Sequence, residues 1–287
     1  MERHRFGNSD VTVSAVGLGC YGMSGVYGPA DDAESIATIR RALDLGVNFL
    51  DTSASYGNGH NHRVIGQSIR GRRHDVVIHS KSGSPRGGGP DAVRGGGDPR
   101  YLRQTCEQSL RNLGIETLDV FCMSRRSERA NRGKRRGNGR VGQGSQDTFH
   151  LALRVLGRVA EAWQCRSSAR FAADGVFAVL ADAEEQGQID ACKELDMAMM
   201  AYAVLGRGML SDQVPKVEEL AADDVRQRLP RFQSINIEKN LGLRSALEAI
   251  GRRKNATPPL HRVANGPGKA RGCLHRPDTR REIAQAH

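Results

Sequence analysis

The sequence predicts an α/β fold in which parallel strands alternate with helices, and three observations lead to it. Short apolar stretches recur every few dozen residues over the first 122 positions, each followed by apolar residues at helical spacing. The chain has 287 residues, 38% of them hydrophobic, which is enough to bury a substantial core. No stretch approaches the ~18 consecutive apolar residues of a membrane helix. Strands joined through helices imply right-handed crossovers, in either an open doubly wound sheet or a closed barrel.

Turn and capping signals mark the boundaries of these elements. Gly7–Asp10 is a turn sequence between two short strands, which predicts a hairpin. Asp31 and Asp32 open a helix, and Gly46 ends it. The predicted elements of this part are, in order, the hairpin strands Arg3–Phe6 and Val11–Val13, a buried strand Ala15–Leu18, a helix Asp31–Leu45, a strand Val47–Leu50, a helix His62–Ile69, a strand Val76–His79, a helix Pro99–Leu113 and a strand Leu118–Cys122.

The alternation of strands and helices stops after Cys122 and resumes near residue 182. Residues 125–145 are largely Arg, Gly, Asn and Ser, which cannot bury enough apolar surface to offset the entropy of ordering, so we expect 125–144 to be irregular and exposed. Leu151–Trp163 has apolar residues at helical spacing and predicts a partly buried helix. Farther on, the predicted elements are a helix at Glu184–Leu195, a strand at Met197–Val204 and a helix at Asn236–Ile250.

Two segments carry the basic excess of the chain, whose formal net charge is +11. Ser124–Arg140 holds eight Lys/Arg and one acidic residue, and Arg252–Arg281 holds nine and one, so the remainder is mildly acidic. The basicity therefore belongs to two local segments and does not characterise the whole protein. The six cysteines include no CxxC pair and are expected to be reduced thiols. Because the N-terminus has no apolar signal-peptide core, we expect a cytoplasmic protein.

Three polar residues near strand ends suggest proton-transfer chemistry. Asp51 follows a predicted strand, Tyr56 lies five positions later, and Lys81 ends the next strand. If neighbouring parallel strands deliver them to one edge, a buried Lys81 ammonium would lower the pKa of the Tyr56 phenol, with Asp51 orienting the lysine. Tyr56 would then give a proton to a carbonyl oxygen as the carbonyl carbon receives a hydride. The alternative is a structural Asp51–Lys81 ion pair, with Tyr56 filling a loop.

Several longer motifs resemble the aldo-keto reductase family, in the bacterial and plant branch near the pyridoxal reductases and the auxin-induced reductase-like proteins. The motifs are Gly17–Ser24, Tyr27–Thr52, Tyr56–Gly57 and Ala201–Gly208, and the resemblance covers residues 1–125 and about 182–257. It implies a (β/α)8 TIM barrel, incomplete or distorted here, that uses NADP(H) to reduce aldehydes or ketones. It also implies that Asp51, Tyr56 and Lys81 are three of the four catalytic residues.

The resemblance further implies a set of cofactor contacts. They are Cys20, Tyr21, Asp51, Ser124, Tyr202, Leu205, Gly206, Arg280 and Arg281. Among them, Tyr202 would stack against the nicotinamide. Ser124 stands where the family has its fourth catalytic residue, a histidine, and serine is shorter and cannot become cationic. Arg280 and Arg281 stand where the family binds the 2′-phosphate of NADP(H). The alternative is that both arginines are solvated charges on a frayed tail.

Residues 125–181 and 258–287 depart from the family. The first segment lacks the family's Gly-Leu-Ser-Asn/Glu strand and its Gln-containing strand, and it is rich in the Arg, Gly and Ala that a GC-rich gene yields out of frame. We hypothesise a frameshift that is restored before Asp182. We therefore expect one reductase-like domain over 1–287, in which these two segments are atypical and partly disordered and the family's closing helices are missing after His287.

Three functions follow from these observations. The first is an NADPH-dependent reductase of small-molecule carbonyl substrates, and the second is an inactive relic that has lost cofactor binding. The third is a nucleic-acid-binding protein that uses Arg125–Arg140, although this run has no aromatic residue for base stacking. Because positioning of the reactants is worth ~7–11 kcal/mol, more than general acid catalysis at about 10²–10⁴-fold, the altered segments predict weak or no activity.

Two simple experiments would separate these three functions. Saturable NADPH binding would favour the reductase over the relic, whereas salt-dependent retention of nucleic acid would favour the third function.

The nine histidines show no metal-ligand spacing, so no metal site is expected. His60 and His62 flank the Tyr56 loop and are expected at the surface.

Overall fold

A computed structural model of the chain describes residues 1–82, 99–122, 149–151, 153–155, 170–175, 192, 194, 198–211 and 216–253. The chain divides into two compact units. Unit 1 contains Met1–Gly25, Pro29–Ala172 and Asp196–Ala198, and unit 2 contains Val26–Gly28, Ala173–Leu195 and Met199–His287. The single domain over the whole chain stays a prediction.

Unit 1 is built from short strands that alternate with helices. Its described helices are α1 (Asp32–Asp44), α2 (His60–Ser68) and α3 (Pro99–Leu113). Its strands are β1 (Arg3–Arg5), β2 (Thr12–Ser14), β3 (Leu18–Gly19), β4 (Phe49–Asp51), β5 (Val77–Lys81), β6 (Leu118–Cys122), β7 (Phe149–Leu151) and β8 (Leu153–Val155). The predicted hairpin, the three helices and strands β4, β5 and β6 are confirmed, with small shifts at their ends.

The main sheet of unit 1 has five strands in the order β3-β4-β5-β6-β8. The first four are parallel, so their carboxyl ends share one edge of the sheet. The register pairs Asp51 with His79 and Lys81 with Cys122. Strand β8 runs antiparallel to β6, and β7 pairs with the first residues of β9 (Arg170–Gly175). Within the described ranges the main sheet ends at β8, so the barrel is incomplete in this part of the chain.

A helix cap and a buried asparagine fix α1 and the hairpin. The Asp31 carboxylate accepts a hydrogen bond from the Glu34 N–H at 2.7 Å, which satisfies an amide at the start of the helix. After the helix, Gly46 adopts φ +88°, a left-handed conformation that favours glycine. Asn48 is buried and exchanges hydrogen bonds of 2.6 and 3.0 Å with Ser14, which join β2 to the start of β4.

The hydrophobic core of unit 1 is one cluster to which the sheet and all three helices contribute. The helices supply Ile39, Leu43, Val64, Ile65, Cys106, Leu110 and Leu113, and the strands supply Leu50, Ile78, Leu118 and Phe121. Burying a side chain of this size contributes roughly 1.5–3 kcal/mol. Gly66 allows α2 to approach α3 closely, because a Cβ at this position would collide with the Leu113 carbonyl oxygen.

The predicted buried strand Ala15–Leu18 is wrong. Residues 15–17 are exposed, the strand is limited to Leu18–Gly19, and the first buried residue after them is Cys20. The Ser14 hydroxyl donates to the Val16 carbonyl at 2.7 Å, a local hydrogen bond that competes with pairing in the sheet.

The predicted helix Leu151–Trp163 is also wrong where the structure describes it. Strands β7 and β8 occupy 149–151 and 153–155. Phe149, Leu151, Leu153 and Val155 alternate with other residues, and this two-residue period favours a strand over a helix. Residues 156–163 lie outside the described residues, as do the residues 125–144 that were expected to be irregular.

Unit 2 contains strand β10 (Ala198–Tyr202), from Met199 onward, and helix α4 (Ser234–Arg253). Both confirm predicted elements. For the helix predicted at Glu184–Leu195, the structure describes only Cys192 and Glu194, both helical. None of the helices in the described residues is both long enough and apolar enough to span a membrane.

Candidate active site

The carboxyl ends of β4 and β5 bring two charged groups into contact. Asp51 is the last residue of β4, and Lys81 is the last residue of the adjacent parallel strand β5. The Lys81 Nζ donates to the Asp51 Oδ1 at 2.6 Å. The two side chains are mostly buried, with 14% of Lys81 and 20% of Asp51 exposed. This contact agrees with the geometry predicted from the strand ends.

The attraction between the two groups keeps both of them charged despite their burial. Burial alone would raise the pKa of Asp51, but Lys81 and a hydrogen bond from His79 hold that pKa well below its ordinary value. Burial alone would lower the pKa of Lys81, but Asp51 and, more weakly, Tyr56 raise it above its ordinary value. The pair is therefore a carboxylate and an ammonium at neutral pH.

Tyr56 lies beside this ion pair, at the start of the short 3-10 helix Tyr56–Gly59. The Lys81 Nζ is 5.2 Å from the centre of the Tyr56 ring. The centre of the Tyr21 ring lies 4.6 Å from the centre of the Tyr56 ring. Burial raises the pKa of the Tyr56 phenol to about 12, against the effect of Lys81 and with a further increase from Asp51. Lys81 lowers this pKa, as predicted, but desolvation of the phenolate outweighs its effect. A phenol with this pKa is protonated at neutral pH, as a proton donor must be.

The loop that carries Tyr56 is attached to β5 and turns tightly after the tyrosine. The Ala54 N–H donates to the Lys81 carbonyl at 3.0 Å, which extends the pairing of β4 with β5 into the loop. Gly57 has φ +54°, and a Cβ at this position would lie 2.9 Å from the Cβ atoms of two neighbouring residues. This turn therefore requires glycine, and the Tyr-Gly sequence fixes where the phenol leaves the backbone.

A buried asparagine holds the same loop from the other side. The Asn61 side chain accepts a hydrogen bond from the Thr52 hydroxyl at 2.7 Å, just after β4. It donates to the Cys20 carbonyl at 2.8 Å and to the Ser24 hydroxyl at 2.9 Å. Asn61 thereby joins the start of α2 to the segments that follow β3 and β4.

His79 belongs to this site, although the sequence analysis did not single it out. It is fully buried on β5, and its Nδ1 donates to the Asp51 Oδ1 at 2.5 Å. Its Nε2 lies 3.2 Å from the Cys122 Sγ. Residues two apart on a strand point to the same face, so the spacing of His79 and Lys81 was the signal that could have found it.

Cys20, a predicted cofactor contact, packs into the core of unit 1. Cys20 is fully buried, and its N–H donates to the Asp51 carbonyl at 2.9 Å. Its own carbonyl accepts a hydrogen bond from Asn61. Burial, with a further contribution from Asp51, raises the pKa of its thiol well above the ordinary value. A contact between Cys20 and a cofactor stays a prediction, and the neighbouring Tyr21 is half-buried.

The two histidines beside the loop differ from each other. His62 was expected at the surface and is instead fully buried, with its Nε2 3.0 Å from the Ser80 hydroxyl. Burial lowers the pKa of His62 to about 4, and Lys81 adds to this effect. The reason for its burial is that the face of α2 that carries it packs inward. His60 is half-buried, and its Nε2 lies 2.9 Å from the Asp32 carboxylate.

In unit 2, three predicted cofactor residues lie at the end of β10 and just after it. Tyr202 is the last residue of the strand and is 47% exposed. Leu205 is half-buried. Gly206 is buried, has φ +61°, and donates its N–H to the Ala203 carbonyl at 2.8 Å. The amide of Gly206 is thus bonded within the turn, and its contact with a cofactor stays a prediction.

Two arginines near Tyr202 were not named as site residues from the sequence. Burial and the neighbouring Arg207 both lower the pKa of Arg231, while Tyr202 acts in the opposite direction. These interactions mean that two guanidinium groups and a phenol lie within electrostatic reach of one another. For Arg207, the signal was its place inside the motif Ala201–Gly208.

Three other predicted residues, Ser124, Arg280 and Arg281, lie outside the described residues. In the described part of the chain, no group of three or more His, Cys, Asp or Glu side chains is arranged to hold a metal ion.

Comparison with known proteins shows what this chain is similar to. The sequence profile of the Aldo/keto reductase family matches residues 15–130. The aldo-keto reductase yakc of Schizosaccharomyces pombe, whose name specifies NADP(+), is 30% identical over 262 residues. That alignment covers 86% of this chain and 74% of yakc.

Two solved structures are similar in fold. A glycerol dehydrogenase from Gluconobacter oxydans has a TM-score of 0.64 at 21% identity, covering 89% of this chain and 80% of its own. An aldo/keto reductase from Klebsiella pneumoniae, solved with NADP and acetate, has a TM-score of 0.56 at 20% identity, covering 99% and 89%. The fold is therefore the (β/α)8 barrel of this type, incomplete over the described residues. Because the match to yakc spans most of both sequences, this chain belongs to the aldo/keto reductase family of oxidoreductases.

Proposed function

We propose that the protein is a cytoplasmic NADP(H)-dependent reductase of small aldehydes or ketones and that Tyr56 supplies the proton. The observation that carries this proposal is the position of the Lys81 ammonium, 2.6 Å from Asp51 and 5.2 Å from the Tyr56 ring centre. These groups lie at the carboxyl ends of parallel strands, the edge at which barrel enzymes carry their active sites.

In this proposal Tyr56 gives its phenolic proton to the carbonyl oxygen as negative charge develops there. The proton transfer leaves a phenolate, and the nearby ammonium stabilises it. Opposite charges about 5 Å apart attract by roughly 3 kcal/mol at an effective dielectric constant of about 20, and the Lys81 Nζ lies 5.2 Å from the centre of the Tyr56 ring. Asp51 keeps Lys81 charged and holds it beside the ring. Lys81 therefore helps Tyr56 to donate its proton, while burial keeps the proton in place before the reaction.

The alternative, a purely structural ion pair, explains less of this arrangement. Desolvating two charges is costly, and an apolar pair of the same size is often as stable as a buried ion pair. The Lys81 ammonium is buried at the carboxyl edge of the sheet, beside the half-buried Tyr56. This position is useful if the ammonium must stabilise a transient phenolate. We therefore favour the catalytic role.

The described residues suit NADP(H), which supplies the hydride when it is bound. Tyr202 presents a half-exposed aromatic ring that suits a nicotinamide, and Arg207 and Arg231 supply the positive charge that suits phosphate groups. Support comes from yakc, which is named for NADP(+), and from the Klebsiella pneumoniae structure with NADP. We propose that Tyr202, Leu205 and Arg207 hold the cofactor. The further candidates are Cys20, Tyr21, Asp51, Ser124, Gly206, Arg280 and Arg281.

The test is an NADPH titration followed by fluorescence, and then turnover of a test aldehyde followed by NADPH absorbance. We expect saturable binding with slow turnover. Tyr56→Phe should lower kcat by about 10²–10⁴-fold, the usual contribution of general acid catalysis, without changing the Kd for NADPH. Tyr27→Phe is the matched control, because it also removes one phenolic hydroxyl but keeps the ring 5.0 Å from the Arg226 guanidinium carbon.

Two results would contradict the proposal. Absence of saturable NADPH binding would indicate the inactive relic. Turnover that is unchanged in Tyr56→Phe would show that another group supplies the proton.

A further inference from the structure

We infer that His79 is a positioning residue of this site, which holds the Asp51 carboxylate against Lys81, and that Cys122 favours the tautomer of His79 that this requires. The catalytic part of this inference rests on the proposed function. The contacts themselves rest on the geometry of β4, β5 and β6.

The position of His79 follows from the sheet register. His79 on β5 lies directly opposite Asp51 on β4, and its Nδ1 is 2.5 Å from the Asp51 Oδ1. Lys81, two residues farther along β5, donates to that same oxygen at 2.6 Å. Two donors from one strand therefore hold a single carboxylate oxygen, and this restricts rotation of the Asp51 side chain more than either donor alone.

The hydrogen-bond partners determine which ring nitrogen carries the proton. The Asp51 carboxylate only accepts hydrogen bonds, so the His79 Nδ1 must be the donor. Burial and the Lys81 charge lower the pKa of His79, which keeps the ring neutral and leaves Nε2 as an acceptor. Burial raises the pKa of the Cys122 thiol to about 12, so Cys122 keeps its S–H and donates it to Nε2 at 3.2 Å. Cys122 thus favours the tautomer that Asp51 needs.

Packing holds the imidazole ring in this orientation. His79 is fully buried, and its ring is nearly parallel to that of Phe49, with an interplanar angle of 11° and ring centres 6.0 Å apart. A buried ring that packs against Phe49 and is bonded at both nitrogens has little freedom to release Asp51. Movement of Asp51 would carry Lys81 away from Tyr56, and small misplacements of catalytic groups can lower rates by about 10²-fold.

Two nearly isosteric variants separate this role from packing alone. In His79→Asn the amide nitrogen replaces Nδ1, and in His79→Gln it replaces Nε2. We expect His79→Gln to lower kcat by about 10–100-fold and His79→Asn to stay within about threefold of the natural protein. The Kd for NADPH should be unchanged in both. His62→Gln is the control, because it alters a fully buried histidine that bonds Ser80 and not Asp51.

The tautomer provides a measurement that does not depend on activity. A nitrogen-15 NMR spectrum of the histidine side chains should show a neutral His79 with its proton on Nδ1. In Asp51→Leu, which removes the acceptor, the proton should move to Nε2. Cys122→Ala should lower the Nδ1–H population, and Cys122→Ser should keep it.

The two measurements also distinguish failure of this inference from failure of the proposed function. A proton on Nε2 in the natural protein, or equal kcat values for His79→Asn and His79→Gln, would overturn the inference. If the chain shows no carbonyl reduction at all, the proposed function fails. The histidine spectra then still decide whether His79 holds Asp51.

Discussion

Replacing Lys81 with methionine removes the positive partner of Asp51 and keeps much of the volume of the side chain. Exposed ion pairs contribute only about 0–1 kcal/mol, whereas breaking a buried pair costs about 3–5 kcal/mol. Lys81 and Asp51 are only 14% and 20% exposed, which places them with the buried pairs. Because His79 still donates to Asp51 in the variant, we expect the lower end of that range, about 3 kcal/mol at pH 8.

The loss should depend on pH in a defined direction. In the natural protein the folded pKa of Asp51 lies below its unfolded value near 3.9, so its stabilisation is present above that pH and is lost in stronger acid. Without Lys81, burial raises the folded pKa above the unfolded value. The folded variant then binds more protons than the unfolded chain, so its stability falls as pH rises through this window. Lys81→Met should therefore be less damaging at pH 5 than at pH 8.

The assay is urea unfolding followed by circular dichroism at both pH values. The set comprises the natural protein, Lys81→Met, Asp51→Asn and the double variant, in which removal of both charges should recover most of the loss. Arg72→Met is a matched control, since Arg72 also bonds a carboxylate oxygen at 2.6 Å, on Asp44, but at the surface with 34% and 54% exposure. A loss in Lys81→Met no greater than in Arg72→Met, or equal at the two pH values, would refute the reasoning.

Two further predictions concern stability in unit 1. His62 has its pKa lowered from 6.5 to about 4, so its neutral form stabilises the fold above pH 6.5 and this contribution, roughly 3 kcal/mol, is lost as pH falls towards 4. His62→Gln should flatten the pH dependence of the urea midpoint between pH 7 and 4.5, and an unchanged slope would show that other groups cause it. Gly66→Ala should cost about 1–3 kcal/mol in thermal unfolding, because its Cβ would collide with the Leu113 carbonyl. Gly242→Ala, with nothing within 4 Å of the added Cβ, is the control and should be neutral or stabilising, so equal effects of the two variants would contradict the packing argument.

The strand ends and helix periodicity could be predicted from the sequence because they depend on local signals. Helix α3 has the predicted bounds Pro99–Leu113, since proline favours the first helical position and the apolar residues follow a regular spacing. Asp51 and Lys81 meet because the carboxyl ends of parallel strands share an edge, whatever the details of packing.

The two buried histidines could not be predicted from the sequence, because burial of a polar side chain depends on partners that are distant in the chain. Periodicity indicates which face of an element a residue occupies, but a buried His62 is tolerated because Ser80, 18 residues away, forms a hydrogen bond with it. His79 is tolerated inside because Asp51 and Cys122 bond its two nitrogens. The net direction of the Tyr56 pKa also depended on burial, which outweighs the charge of Lys81.

The family match also bears on the frameshift hypothesis. The match to the profile of the Aldo/keto reductase family ends at residue 130. This residue lies near the start of the segment 125–181, whose composition departs from the family. A reading frame that changes near residue 125 and is restored before Asp182 stays our hypothesis. Resequencing of the gene with an intact frame would rule the hypothesis out.

The hydrogen bonds of Asn61 have a consequence for how such a protein can diversify. One side chain links the residues after β3, the residues after β4 and the start of α2, so the proton donor takes its place from the same framework that carries Asp51. Within the described residues, the side-chain hydrogen bonds of Asn61 reach no other loop at this edge. Substrate preference can then change by remodelling other loops while the acid stays where it is, which separates the evolution of selectivity from that of the proton chemistry.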